Sequence, residues 1–343
     1  MKQALLSLAM GVAMTISGSP SFAASHGSST LDDVKAKGFV QCGVSEGLPG
    51  FSNPNDVGKW AGLDVDICRA IAAAIFGDGN LVKFTPLSAN ERFTALQSGK
   101  VDILSRNTTW TMTLDASMGL TFVTVTYYDG QGFMVPKEIG VSSALELSGA
   151  SVCTNSNTTT ELNVSDYFSA NNMDLEIIAF DKADDVVAAY DAGRCQVYTS
   201  DASGLYAQRL KLTKPDDHIV LPEIISKEPL GPVVREGDDT WLNLTKWVIF
   251  ALINAEELGV TSENIDELMG SDNPAIARIL GTAGGFGEMI GLENDFAVNA
   301  IRAVGNYGEI FERNVGPDTP IGIGRGINAL WFDGGLMYAP PLR

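Results

Sequence analysis

The chain alternates between short apolar runs and longer stretches in which apolar residues recur every three or four positions. GFVQCGVS (38–45) is a short apolar run that predicts a buried strand, and GLDVDICRAIAAAIFG (62–77) has one apolar face at helical spacing. NERFTALQSGKVDILS (90–105) predicts a helix and then a strand, because Gly99 can end a helix. This order of elements predicts an α/β fold.

The same pattern recurs further along the chain. GASVCTNS (149–156) repeats GFVQCGVS, with a cysteine four residues after the glycine in both. AAYDAGRCQVYTSD (188–201) repeats TALQSGKVDILSRN (94–107), which places Asp201 opposite Asn107. Two similarities in the same order predict two lobes of similar construction, each a mostly parallel sheet flanked by helices.

Polar residues follow the predicted strands in both lobes. Ligands of open α/β sheets bind beyond the carboxyl ends of the strands, and Asn107 and Asp201 both lie at such ends. If the lobes face each other, SRNTTWT (105–111) and TSDASG (199–204) meet across a cleft. Asp201 has a second interpretation, as the N-cap of a helix that begins at Ala202.

A further helix start is predicted in the second lobe, within NSNTTTELN (155–163). Thr158 and Glu161 have the spacing of a capping box. The free backbone N–H groups of such a helix start favour a carboxylate or another anion. Most capping boxes only cap helices, so both a structural and a ligand-binding interpretation stay open.

The first residues have the pattern of an export signal. Lys2 precedes an apolar stretch, and small residues around Ala23 suit a cleavage site, so residues 1–23 are predicted to be a signal peptide. The apolar stretch is shorter than the ~20 residues that span a bilayer. We therefore expect an exported protein from which this segment is removed.

Charge and residue usage exclude several classes of function. A formal net charge of −19 argues against nucleic acid and against anionic lipid surfaces as partners. His26 and His218 are the only histidines, and no zinc-binding spacing occurs, so we expect no metal and no cofactor. The glycine-rich segment 282–291 lacks the spacing of a dinucleotide site. Cys42, Cys68, Cys153 and Cys195 form an even set, which in an exported protein predicts disulfides with three possible connectivities.

Several motifs together resemble the solute-binding proteins of polar amino-acid ABC transporters, and in particular the general L-amino-acid binding subgroup. The resemblance covers residues 31–343, and its motifs include RFTALQSGKVDILSRNTTWT, TYYDGQGFMV, GRCQVYTSDASGLYAQRL, LPEIISKEPLGPVVREGDD and LMYAPPLR. It implies the type 2 periplasmic binding protein fold. Such a protein closes on an amino acid or a related amine and then docks on an ABC permease in the inner membrane.

The resemblance also implies the division of the chain. Lobe 1 would comprise residues 24–130 and 230–343, and lobe 2 residues 131–229. The chain would cross between the lobes near residues 129–132 and 227–231, which form a two-segment hinge. A monomer without cofactor is expected. Because the lobes move relative to one another, we expect disulfides within lobes, Cys42 with Cys68 and Cys153 with Cys195.

The resemblance assigns roles to five residues of the predicted cleft. Asp201 would hold the ammonium group of the ligand. Asn107 and Thr109 correspond to the first-lobe contacts, and Thr158 and Thr159 to the helix start that meets the carboxylate.

Two positions depart from the family pattern. Asn157 replaces a glycine, which is a mild change because Asn tolerates left-handed backbone. Leu114 replaces the arginine that clamps the ligand carboxylate, and a charge-assisted bond of this kind contributes ~1.5–3 kcal/mol. Arg106 is a candidate substitute, and Trp110 a candidate aromatic contact. The sequence thus predicts weaker preference for ordinary α-amino acids, and higher affinity for them in Leu114→Arg.

Two other functions stay open at this point. An enzyme of the dehydratase or lytic transglycosylase type can use the same fold, because fold alone does not fix function. Against it, His218 is the only plausible general base for a nucleophilic site. A sensor-type receptor for a signalling protein is the other alternative. Stoichiometric binding without turnover distinguishes a receptor from an enzyme, and neighbouring permease and ATPase genes distinguish transport from signalling.

Overall fold

The computed structural model describes residues 29–343, so the predicted signal peptide (1–23) and His26 lie outside the described residues. The strands are β1 (Val40–Ser45), β2 (Asn53–Pro54), β3 (Trp60–Ala61), β4 (Val82–Leu87), β5 (Ile103–Leu104), β6 (Leu120–Phe122), β7 (Tyr127–Asp129), β8 (Gln131–Pro136), β9 (Ser151–Asn155), β10 (Glu176–Phe180), β11 (Val197–Asp201), β12 (His218–Val220), β13 (Glu228–Leu230) and β14 (Val233–Arg235).

The helices include α2 (Leu63–Phe76), whose apolar face the sequence predicts within residues 62–77. They are α1 (Thr30–Lys37), α2 (Leu63–Phe76), α3 (Arg92–Gln97), α4 (Met112–Ser117), α5 (Thr159–Ala170), α6 (Ala183–Asp191), α7 (Ala202–Arg209), α8 (Asp239–Glu257), α9 (Pro274–Ile279), α10 (Phe286–Met289), α11 (Phe296–Val304) and α12 (Tyr307–Asn314). Within residues 29–343, none of them is both long enough and apolar enough to cross a membrane.

The first sheet has the strand order β4-β1-β5-β14-β6. Strand β1 pairs in parallel with β4 and β5, whereas β14 is antiparallel to both of its neighbours. One face packs on α2, α8 and α11, and the apolar core here includes Trp241, whose indole N–H donates to the carbonyl of Asp102 at 3.0 Å. The C-terminal helices therefore belong to the core of the first lobe.

The second sheet repeats this arrangement in the order β10-β9-β11-β8-β12. Strand β9 is parallel to β10 and β11, and β8 is antiparallel to both of its neighbours. Two smaller apolar clusters, one containing Tyr198 and the other Phe133, complete this lobe. The predicted fold class, two lobes with mostly parallel sheets flanked by helices, is confirmed.

Two short strands join the lobes. β7 and β13 pair antiparallel, with Asp129 opposite Glu228. Asn328 holds this pair to the first lobe, because its side chain accepts from the N–H of Tyr128 at 2.7 Å and donates to the carbonyl of Tyr128 at 2.9 Å. At Gly231 a Cβ would lie 2.1 Å from the carbonyl oxygen of Thr124, so only glycine fits. The lobe boundaries near residues 130 and 230 remain predictions, and this crossing supports them.

Both disulfides lie within single lobes, as predicted. Cys42 of β1 is bonded to Cys68 of α2, with a Cα–Cα distance of 6.3 Å. Cys153 of β9 is bonded to Cys195, which lies two residues before the neighbouring strand β11, with a Cα–Cα distance of 5.8 Å. Each bond therefore ties the central region of one sheet to an adjacent element and leaves the crossing strands unconstrained.

Candidate ligand-binding cleft

A cavity lies between the two lobes at the carboxyl ends of their strands. From the first lobe it is lined by polar residues that include Ser45, Arg92, Arg106, Asn107 and Thr109. From the second lobe it is lined by Asn155, Thr158, Thr159, Tyr198, Asp201 and Gln208, among others. Three of these, Ser45, Asn155 and Asp201, are the last residues of their strands. The cavity therefore lies where the strand-end argument placed a site.

The first-lobe segment after β5 is held in place by a buried acid. Asp64, in the first turn of α2, accepts from the hydroxyl of Ser105 and from the backbone N–H of Asn107, both at 3.2 Å. Burial raises the pKa of Asp64 to about 7. Asn107 has a left-handed backbone, with φ of 34°, a conformation that asparagine adopts more easily than most residues. These contacts direct the segment into the cleft.

Asp201 occupies the N-cap position of α7, but its side chain does not cap the helix. The residue is 7% exposed and lines the cavity. Burial, together with the nearby carboxylates of Asp129 and Glu228, holds the pKa of Asp201 well above its usual range, and hydrogen bonding from Asn107 partly opposes this. The capping interpretation is therefore wrong, and the carboxylate is available to a cation in the cleft.

Two arginines bring positive charge to the same cavity from the first lobe. Arg106 is buried and donates through Nε to the carbonyl of Leu87 at 2.9 Å. Arg92 is also buried, and its Nε has no hydrogen-bond partner in the protein. Burial lowers the pKa of Arg92 to about 9 and that of Arg106 to about 10, so both stay charged at neutral pH. An anionic group of a ligand would satisfy these donors.

Sequence reasoning missed Arg92, although a signal was present. Strand β4 ends at Leu87, and Arg92 begins α3 shortly after it, just as Asn107 follows β5. Because β4 runs parallel to β1, its carboxyl end lies at the same edge of the sheet, and the residues that follow it are candidates for the cleft on the same ground as Asn107.

The start of α5 forms the second-lobe wall. Thr158 is the N-cap and accepts from the N–H of Glu161 at 3.3 Å. The carboxylate of Glu161 accepts from the N–H of Asn157 at 2.9 Å, one residue earlier than a regular capping box requires. Asn157 is left-handed, with φ of 55°, which fits its replacement of a glycine. The first-turn N–H groups near Thr159 have no partner within the helix, and they favour an anion.

Two predicted ligand contacts lie outside the cavity lining. Trp110 stacks on Phe122, with ring centroids 5.3 Å apart and planes within 6° of parallel. Leu114 lies on α4 and packs against an apolar cluster that includes Leu96. The reason is that the side chain of Thr111 caps a new helix from Met112 onward, which turns the chain away from the cleft. Neither role that the sequence predicted for Trp110 and Leu114 is supported by their positions.

Hydrogen bonds cross the cleft, so the lobes are closed on each other. The side-chain amide of Asn157 donates to Asn90 Oδ1 at 2.6 Å, and Asn90 donates to Asp181. Lys211 of the second lobe donates to the carbonyl of Gly47 in the first. Asn90 and Asn157 directly adjoin Ala89 and Thr158, which line the cavity.

The groups in the cavity suit binding rather than bond cleavage. Its polar lining comprises one carboxylate, two guanidinium groups, hydroxyls and amides, and His218 lies elsewhere, with Nδ1 2.7 Å from the hydroxyl of Tyr190. Across the described range 29–343, no three or more His, Cys, Asp or Glu residues are grouped to hold a metal ion. The cleft offers fixed charges of both signs and hydrogen-bonding groups to a small solute.

Fold and cleft together define a two-lobed protein that binds a solute between its lobes. Residues 40–264 match the family described as bacterial extracellular solute-binding proteins, family 3, and the chain belongs to this family. Its activity is therefore extracytoplasmic solute binding and not catalysis.

Named relatives extend over nearly the whole chain. It is 59% identical to the general L-amino acid-binding periplasmic protein AapJ of Rhizobium johnstonii over 345 residues, which cover all of both chains. It is 54% identical to the glutamate/glutamine/aspartate/asparagine-binding protein BztA of Rhodobacter capsulatus, over 92% of this chain and 94% of that one. A solved ABC transporter periplasmic binding protein from Brucella ovis, with glutathione bound, is 57% identical; the match covers 92% of this chain and 100% of that chain, with a TM-score of 0.91.

Proposed function

We propose that this chain is the periplasmic receptor of an ABC importer for L-amino acids, among which those with polar or acidic side chains bind best. It captures the ligand between its lobes and delivers it to a permease in the inner membrane, as a monomer from which residues 1–23 have been removed. The relatives AapJ and BztA support the ligand class, since their names specify amino acids.

The observation that carries this proposal is the distribution of charge in the cleft. On one wall, Asp201 is a buried carboxylate that does not cap α7. On the other wall, Arg92 and Arg106 are buried guanidinium groups. A zwitterion matches this pattern. Its ammonium group pairs with Asp201, and its α-carboxylate is held by the free N–H groups at the start of α5, with Arg106 within the same cavity.

Arg92 accounts for the preferred side chain. Its unpartnered Nε can donate to a carboxylate or amide oxygen at the far end of the ligand. A buried donor that stays unpaired costs about 1–3 kcal/mol, so a ligand that satisfies it binds more tightly than one that does not. We therefore expect glutamate, glutamine, aspartate and asparagine to bind more tightly than alanine or leucine.

Glutathione is a second candidate ligand, because the Brucella ovis structure holds it. Glutathione carries one ammonium group and two carboxylates, which correspond to Asp201, the α5 start and the arginine pair. The same cleft therefore offers partners for all three charged groups.

Calorimetric titration tests the proposal, with glutamate, glutamine, aspartate, asparagine, alanine, leucine and glutathione as the ligands. We expect one-to-one binding of glutamate or glutamine, with the ligand recovered unchanged and the protein eluting as a monomer with and without ligand. Asp201→Asn should lose affinity. Asp185→Asn, at an exposed acid of the same lobe as Asp201, is the matched control and should bind like the wild type. A protein that binds none of these amino acids, or binds only glutathione, would overturn the assignment.

A further inference from the structure

Glu228 is a buried carboxylate at the junction of the crossing strands and both walls of the cleft. It lies on β13, is 1% exposed, and does not belong to the cavity lining. Four side chains donate hydrogen bonds to it: Thr109 at 2.5 Å, Ser226 at 2.6 Å, Asn163 at 2.7 Å and Thr159 at 3.2 Å. A carboxylate with this many donors is strongly stabilised in its position.

The donors belong to different moving parts. Thr109 is tied to the crossing strand itself, because its backbone pairs with Leu230 of β13. Thr159 and Asn163 lie on α5 of the second lobe, one helical turn apart. Only when α5 lies against the crossing strand do all of these donors reach one carboxylate. Thr109 and Thr159 are also 3.4 Å apart, oxygen to oxygen, and both line the cavity.

We propose that Glu228 is a positioning residue that couples closure of the lobes to ligand capture without touching the ligand. This inference rests on the proposed function of the cleft. Lobe opening would separate Thr109 of the first lobe from Thr159 and Asn163 of the second, and would leave the carboxylate of Glu228 with fewer donors. Ligand contact with Thr109 and Thr159 holds these hydroxyls where Glu228 accepts from them, so ligand and carboxylate stabilise the same closed arrangement.

The contact between Asn163 and Glu228 permits a test that leaves the cavity lining intact. Asn163→Asp places two carboxylates against each other and should weaken binding of L-glutamate or L-glutamine about tenfold or more, because one donor becomes a repelling charge. In the double variant Asn163→Asp with Glu228→Gln, the new amide donates to the new carboxylate. Affinity should then return to within about threefold of the wild type.

Three measurements separate coupling from a merely structural role. Calorimetry gives the affinity, small-angle scattering with and without ligand gives the degree of closure, and thermal unfolding of the ligand-free protein gives the stability. We expect Asn163→Asp to lose affinity and closure while its ligand-free melting temperature stays close to that of the wild type. Asp166→Asn, at an exposed position of the same helix, is the control and should match the wild type in all three.

Two outcomes overturn the inference. In the first, Asn163→Asp binds as tightly as the wild type or only loses ligand-free stability. In the second, the double variant is not restored. Failure of the proposed function is a separate result, because the wild type itself would then bind neither glutamate nor glutamine.

Discussion

The two lobes are built alike but present opposite charges to the cleft. Each has five strands, one of them antiparallel to its neighbours, and each has one disulfide on the strand next to the central one. Yet the first lobe contributes Arg92 and Arg106, whereas the second contributes Asp201 and the start of α5. The shared backbone determines where the ligand lies, and a few residues just beyond the strand ends determine which charges it meets.

Equivalent positions in the two lobes show how this difference arises. Asn107 lies three residues beyond the central strand β5, and Asp201 is the last residue of the central strand β11. Asn107 is turned by a left-handed backbone and held by Asp64, whereas Asp201 leads directly into α7 without capping it. The neutral residue therefore shapes its wall, and the charged residue stays free for a ligand.

The largest effect should come from removing the negative charge that the second lobe contributes to the cleft. Asp201→Asn removes the carboxylate that we propose as the partner of the ligand ammonium group, and should weaken binding of every amino acid by between about 10- and 150-fold. Arg92→Gln should weaken glutamate and aspartate more than alanine, because only their side chains reach it. Calorimetry on both variants measures this. Equal losses across all ligands in Arg92→Gln would show that this arginine does not select the side chain.

A change of pH should affect the stability of the ligand-free protein and its affinity for the ligand in opposite directions. Burial raises the pKa of Asp64 to about 7 and that of Asp129 to about 6. The folded protein therefore holds protons that the unfolded chain has released, so ligand-free stability should fall as pH rises from about 4 to 7. Ligand affinity should rise with pH as Asp201 ionises, because the proposed partner of the ligand ammonium group is the carboxylate form, and burial holds the pKa of Asp201 above its usual range.

Denaturant unfolding and calorimetry at matched pH values would check these opposite slopes. Asp64→Asn should flatten the stability slope and leave the affinity slope unchanged. A stability that rises with pH between 4 and 7 would contradict the assignment of protonated acids to the folded state.

The smallest effect is expected at Leu114. The sequence predicted that Leu114→Arg would raise affinity for common L-amino acids, but the structure places this residue on α4 against an apolar cluster, and Arg92 and Arg106 already line the cavity. We now expect less than about a threefold change in affinity. A gain of tenfold or more in a calorimetric titration would show that an arginine here still reaches the ligand.

The fold was predictable from local repeats. The recurrence of GFVQCGVS in GASVCTNS marks the equivalent strands β1 and β9, and the expectation of two lobes, each with its own disulfide, predicts the observed cysteine pairing. The carboxyl ends of the strands then predict where the cleft lies, because the backbone topology brings these ends together whatever side chains they carry.

What the sequence could not show depends on three-dimensional neighbours. Arg92 begins a helix whose sequence looks like an ordinary solvated helix start, whereas in the structure it is buried and lines the cavity. Glu228 lies far along the chain from Thr109 and Asn163, and nothing in its local sequence indicates that both would donate to it. The family pattern predicts that the residue at position 114 contacts the ligand, but α4 directs Leu114 to an apolar cluster instead.

Comparison of L-glutamate with N-acetyl-L-glutamate, by calorimetric titration of the wild type, tests the central claim most directly. Acetylation removes the ammonium charge and keeps both carboxylates, and the same comparison on Asp201→Asn separates the loss of pairing with Asp201 from the added bulk of the acetyl group. We predict one-to-one binding of L-glutamate and at least about tenfold weaker binding of the acetylated compound. Equal affinity for the two compounds would contradict the assignment of Asp201 as the anchor of the ligand ammonium group.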